Sequence, residues 1–147
     1  MSTRLQEKEE QILQVLEQLA EENKSGKPVL VEGRKDAEAL KNLGINGQII
    51  FAKTGGKSLL DVVSEIEVAG ASEILMLLDF DRRGRELAER LKSHIEKMGI
   101  KANMYYWLKL SSLVGKEVKD VEGLAKYMKT LKIKTEIHKG NIYRKSY

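Results

Sequence analysis

The sequence predicts an α/β protein in which a parallel sheet of about four strands is flanked by helices. An N-terminal helix precedes the sheet, and a basic helical extension follows it. Three observations carry this reading. Short runs that are apolar throughout, such as Pro28-Val-Leu-Val and Ile74-Leu-Met-Leu-Leu78, have the composition of strands buried on both faces. Amphipathic stretches with helical spacing alternate with those runs. Right-handed crossovers then leave a parallel sheet with helices on both faces as the economical topology, with its ligand edge at the carboxyl ends of the strands.

The elements follow in order. From Arg4 to about Asn23, Leu5, Ile12, Leu16 and Leu19 recur at helical spacing among glutamates and glutamines, giving an amphipathic helix that either covers the chain's own core or meets a protein partner. Residues 28–32 form the first strand and end in Glu32-Gly33. Arg34 to Leu43 reads as a helix stopped by Gly44. Asp36 falls in its first turn, where the helix dipole favours an acid and where a supporting metal role is also open. Residues 48–52 are the second strand, and Thr54-Gly-Gly-Lys-Ser58 is the loop after it. That loop is no P-loop, because the position five before Gly56 is Phe51; Lys57 can hold a phosphate there, or the glycines can simply make a turn. Leu59 to about Gly70 is helical, residues 73–78 are the third strand, and Arg82 to Met98 is a long amphipathic helix closed by Gly99. A fourth strand is expected at 102–107, a short helical turn at 111–114 and a helix at 121–131. The tail from Lys132 is basic and aromatic, with Tyr143, Arg144, Lys145 and Tyr147 interleaved as in a strand-binding segment or a frayed terminus. The domain expectation is an N-terminal helix at 1–27, a sheet core at 28–108 and an extension at 109–147, all in one globular unit.

Composition excludes several classes. Without cysteine there is no disulfide, thiolate zinc site or thiol nucleophile, and two histidines leave little for a transition-metal cluster, so a metal must be held by oxygen. No apolar run approaches the roughly 20 residues of a membrane span and the N-terminus is polar, so no membrane partner and a cytoplasmic location are expected. Residues 101–147 carry 11 Lys/Arg against 4 Asp/Glu, whereas residues 1–100 are slightly acidic. A polyanion would lean on that basic third.

The acidic residues at strand ends carry the chemistry. In an extended segment Asp79 and Asp81 point the same way, with Cα atoms roughly 6.6 Å apart, so together they can chelate one hard cation. Glu32 ends a second strand at the same edge. A receiver domain places its acidic pair after the first strand, as does a haloacid-dehalogenase phosphatase; here the pair follows the third.

A glutamate after the first strand, in Val31-Glu-Gly-Arg-Lys-Asp36, with Asp-x-Asp after the third, in Leu77-Leu-Asp-Phe-Asp-Arg-Arg-Gly84, resembles the Toprim family. That family includes DnaG-type primases, type IA and II topoisomerases, OLD-type nucleases, RecR proteins and the ribonuclease that matures 5S ribosomal RNA. The resemblance spans about residues 28–107 and is strongest to small stand-alone archaeal members. It implies a Toprim, Rossmann-like sheet and a Mg²⁺-dependent phosphoryl-transfer enzyme on nucleic acid, most simply an endonuclease on RNA rather than DNA. Mn²⁺ is an alternative cofactor. The competing implication is a non-catalytic nucleic-acid-binding module in an RNA- or DNA-processing complex. Carried over by position, Glu32 would be general base or acid and metal contact, and Asp79 and Asp81 catalytic metal ligands. Gly33, Asp36 and Gly84 would support them. Arg34, Lys57, Arg82, Arg83 and Arg85 would meet nucleic-acid phosphate, although the α-helical arginines can equally neutralise nearby carboxylates.

Overall fold

The computed structural model describes residues 3–144, with side chains for residues 3–137. The elements run α1 (Arg4–Lys24), β1 (Val29–Val31), α2 (Arg34–Asn42), β2 (Ile49–Phe51), α3 (Leu59–Ala69), β3 (Glu73–Met76), α4 (Arg82–Lys97), β4 (Lys101–Asn103), α5 (Tyr105–Val114) and α6 (Val121–Arg144). All three strand pairings are parallel, in the order β2-β1-β3-β4. The chain leaves β1 toward one side for β2 and crosses back to the other side for β3. The order therefore reverses between β1 and β3, the place where open parallel sheets form their ligand crevice.

Alternation along the strands divides the core in two. Val29, Val31, Leu75 and Leu77 face α1, α2, α5 and α6. Leu30, Ile50, Ile74, Met76 and Leu78 face α3 and α4. Both faces are covered, which is why the strands read as continuous apolar runs. The N-terminal helix packs Ile12, Val15, Leu16 and Leu19 into its own domain against α5 and α6, leaving Leu5 and Leu13 exposed. A capping box between Thr3 and Gln6 starts it.

Two expectations need correction. The fourth strand ends at Asn103, and Tyr105-Tyr-Trp107 belong to α5, a full helix rather than a short turn at 111–114. The Asn103 side chain accepts the Tyr105 N–H at 2.8 Å, a local turn that closes the strand. The aromatics suggested a strand, but Tyr106, Trp107, Leu110 and Val114 are buried at helical spacing, and that burial decides the outcome. The last helix likewise does not stop at 131: α6 continues through the basic tail because Leu124, Met128, Leu131 and Thr135 keep one face buried. Helix α5 runs across the boundary expected at 108/109. The side chains of His138, Tyr143, Arg144, Lys145 and Tyr147 lie outside the described residues.

Candidate metal centre

The segment after β3 is held at every residue. Leu77 N–H donates to the Leu30 carbonyl at 2.8 Å, continuing the parallel ladder beyond the strand proper. Asp79 N–H donates to Glu32 Oε2 at 2.8 Å, and Phe80 N–H donates to the Lys119 carbonyl at 2.6 Å. From α5 the Trp107 indole N–H donates to the carbonyls of Leu78 and Asp79, at 3.0 and 3.1 Å. Gly84, in the first turn of α4, packs so closely that a Cβ there would sit 2.1 Å from the Asp79 carbonyl oxygen. Only glycine fits there. Gly33 meets no such neighbour; its N–H instead donates to Asp36 Oδ2 at 3.1 Å, starting α2.

Around this rigid segment four carboxylates converge. Glu32 is buried at the end of β1, and its Oε1 lies 2.8 Å from Lys53 Nζ, which arrives just after β2. Asp36 is buried and accepts N–H groups from both Gly33 and Glu122. Asp120 caps the start of α6 by accepting the Gly123 N–H at 2.7 Å. One carboxylate oxygen each from Asp36, Asp79 and Asp120 lies within 4.8 Å of the others. Glu32, Lys53 and these three line one cleft of about 400 Å³.

Electrostatics follow from this crowding. Burial and then the adjoining Glu32 push the Asp79 carboxyl up to about 8, with Asp36 and Asp120 adding repulsion. Burial also raises Asp36, with Asp120 and Glu32 contributing. Burial would raise Glu32 too, but hydrogen bonds from Asp79 and Lys53 outweigh it and hold Glu32 below the usual carboxylate range. Without a cation, Asp79 keeps a proton that Glu32 shares.

Apart from Arg34, the other candidate residues lie away from this cluster. Asp81 caps α4 by accepting the Gly84 N–H at 2.8 Å and is not among the three converging aspartates. Arg82 and Arg85 form exposed i,i+4 pairs with Glu86 and Glu89, and Arg83 is exposed. Arg34 lines the acidic cleft at its exposed rim. Lys57 is turned to Glu65 and to the Phe51 carbonyl, and two consecutive left-handed glycines, Gly55 and Gly56, make its loop a tight turn. Asp120 and Lys53 were not singled out from the sequence. Asp120 lies beyond the sheet, with only the Asp-x-x-Gly pattern of a helix cap as a signal; Lys53 looks like any lysine at a strand end.

A three-layered parallel fold with carboxylates gathered at its switch point defines the class, and the Toprim domain matches residues 27–113 directly: the chain belongs to the Toprim family. Toprim domains in general bind divalent metals and act on nucleic acid, and the acidic cluster is in place for that here. More particularly, the chain is similar to archaeal proteins known as UPF0292. One from Methanosarcina acetivorans is 37% identical over 128 residues, covering 87% of each chain. Another, from Methanocaldococcus jannaschii, is 35% identical over 120 residues, covering 81% of this chain and 91% of the relative. A solved structure of an Aquifex aeolicus protein shares the fold with a TM-score of 0.61 at 21% identity, over 74% of this chain and 94% of that one. No helix among the described residues is long and apolar enough to cross a membrane.

The donor set suits a hard divalent ion. Every converging ligand is a carboxylate oxygen, and each oxygen already accepting one N–H keeps a second lone pair. Glu32, Asp36, Asp79, Asp120 and Glu122 in the cleft lining outnumber Arg34, Lys35 and Lys53, an acidic excess that a cation would offset.

Proposed function

We propose that this protein is a divalent-metal-dependent enzyme acting on phosphodiester bonds of nucleic acid, an endonuclease with RNA favoured over DNA. The observation that carries the reading is the convergence of Asp36, Asp79 and Asp120 beside an ionised Glu32. Asp79, with Asp36 and Asp120, would hold Mg²⁺, or Mn²⁺ in its place. When bound, such an ion neutralises phosphate charge and keeps several waters. Glu32 is the base: it is buried, stays ionised and is oriented by two hydrogen-bond partners, so it takes a proton from an attacking hydroxyl or water. Lys53 holds that carboxylate in place and supplies positive charge at the mouth of the cleft.

The basic balance of residues 101–147 favours a second reading, a binding module that grips nucleic acid without turnover. A cleavage screen over structured RNAs, single-stranded DNA and duplex DNA, with and without Mg²⁺, separates the two. Under the first reading, cutting requires metal and disappears in both Glu32→Gln and Asp79→Asn. Steeply salt-dependent binding with no cutting under any metal would replace it with the second.

A further inference from the structure

Residues 79–81 form a ridge between two clefts of opposite character. Asp79 faces the acidic cleft, whereas Phe80 and Asp81 line a separate groove of about 440 Å³ between α4 and α5. Residues of two helices line that groove: Arg82 and Arg85, with largely exposed side chains, from α4, and Ser111 and Ser112 from α5. Phe80 and Leu108 supply an apolar wall. The volume falls within the roughly 300–1,000 Å³ usual for small-molecule clefts.

This combination matches one backbone unit of a nucleic-acid strand. Two guanidinium groups and the Ser111 hydroxyl suit a phosphate, the Ser112 hydroxyl already donating to the Lys109 carbonyl, and the apolar wall suits the sugar or base edge beside it. The arginines are available for this: their partners Glu86 and Glu89 lie on the same helix in exposed pairs, which contribute little and exchange readily. Asp81, the one carboxylate in the lining, already accepts the Gly84 N–H. The two clefts are also close, because two residues of extended chain span only about 6.6 Å, the scale of a single nucleotide step.

We propose that this groove seats a phosphodiester of the bound strand, next to the one presented to the acidic cleft, and so fixes the direction in which the strand crosses Asp79. The proposal rests on the nucleic-acid reading above but requires no turnover. Arg82 and Arg85 are then binding residues for a neighbouring phosphate, not ligands of the metal or partners of the reacting bond.

The test is built into the chain. Trp107 is its single tryptophan and lines the groove, so its fluorescence reports occupancy locally. Diuridine monophosphate, which has one phosphodiester and no terminal phosphate, is titrated into the full chain with chelator present, with uridine and inorganic phosphate as parallel arms. The expected result is a saturable change with the dinucleotide, little with uridine, and affinity weakened roughly tenfold or more in Arg82→Gln/Arg85→Gln. Arg90→Gln, which removes a charge from the same helix outside the groove, should leave the affinity near wild type. Because the titration is made in chelator and reads binding alone, a protein that never cuts still gives this signal and the two proposals fail separately. The assignment is overturned by no saturable change, by an unaltered affinity in the double variant, or by inorganic phosphate binding as tightly as the dinucleotide.

Discussion

The two ends of the sheet treat acidic residues in opposite ways. Where β1 and β3 begin, Lys27 sits between Glu22 and Glu73, at 2.6 and 3.4 Å. The Tyr106 hydroxyl donates to Glu22, and the Asn103 amide donates to Glu73 at 2.7 Å. Each carboxylate there has a cation and a neutral donor. Burial raises Glu22, but Lys27 and Tyr106 more than reverse it, and the group ends below its ordinary range. Where the same strands end, Glu32, Asp36, Asp79 and Asp120 share Lys53 as the one ammonium group within salt-bridge distance among the described residues. One end is electrostatically finished; the other is left incomplete, with a charge that a bound cation would supply.

Breaking the incomplete end should have the largest effect. Asp79→Asn is expected to lower metal-dependent cleavage roughly a hundredfold or more, the scale of losing one preorganised charge-stabilising group. The same variant should be more stable than wild type without metal at neutral pH. The Asp79 carboxyl titrates near 8 in the folded chain, against an ordinary value of 3.8. Between those values the folded state holds a proton that the unfolded state has released, so this group's contribution is fully present below about pH 4 and is lost as pH rises towards 8. Asp36 acts in the same direction and Glu32 in the opposite one. After solvent screening of a half-exposed group, a gain of about 1–2 kcal/mol is expected for the variant, measured by denaturant unfolding at pH 7 in chelator. Equal stability of the two proteins would argue against the crowding described above.

Supplying the missing charge should act next most strongly. Saturating Mg²⁺ or Mn²⁺ is expected to stabilise the wild type by about 2.7 kcal/mol at a hundredfold excess over Kd, read as a rise in Tm. The rise should grow with pH up to about 8 as Asp79 gives up its proton, and should largely vanish in Asp79→Asn. Gly84→Ala tests the backbone side of the same end. Its Cβ must push the Asp79 carbonyl away, for a cost of about 1–3 kcal/mol in stability and a weaker cation response. The finished end should show the smallest effect. Tyr106→Phe removes a single hydrogen bond, costs about 1 kcal/mol and leaves the metal-induced rise in Tm unchanged.

Much of this was readable because strands buried on both faces announce themselves, and their acidic ends with them. Glu32 and Asp79 each close an apolar run, so their shared edge followed from the topology alone. The adjacency of β1 and β3 did not follow, because sequence alternation carries no strand order. Asp81 illustrates another limit. Its two-residue spacing from Asp79 suits joint chelation, but a carboxylate immediately before a helix also satisfies that helix's free N–H groups, and in this structure Asp81 does so. Asp120 was hidden for the complementary reason. It too is a helix cap, but the turn of the chain before α6 brings it against Asp79, a long-range contact that no local pattern encodes.

The match to the Toprim domain ends at residue 113, whereas the third converging carboxylate comes from residue 120, at the head of α6. That helix is also latched to the site through the Lys119 carbonyl and the Glu122 N–H. The residues matched to the Toprim domain therefore furnish two of the three aspartates, and the helix beyond them, packed into the same core, furnishes the last. A cation held there would sense how α6 is seated against α2 and the sheet edge, so its affinity would be set partly by a helix that contributes no strand to the sheet.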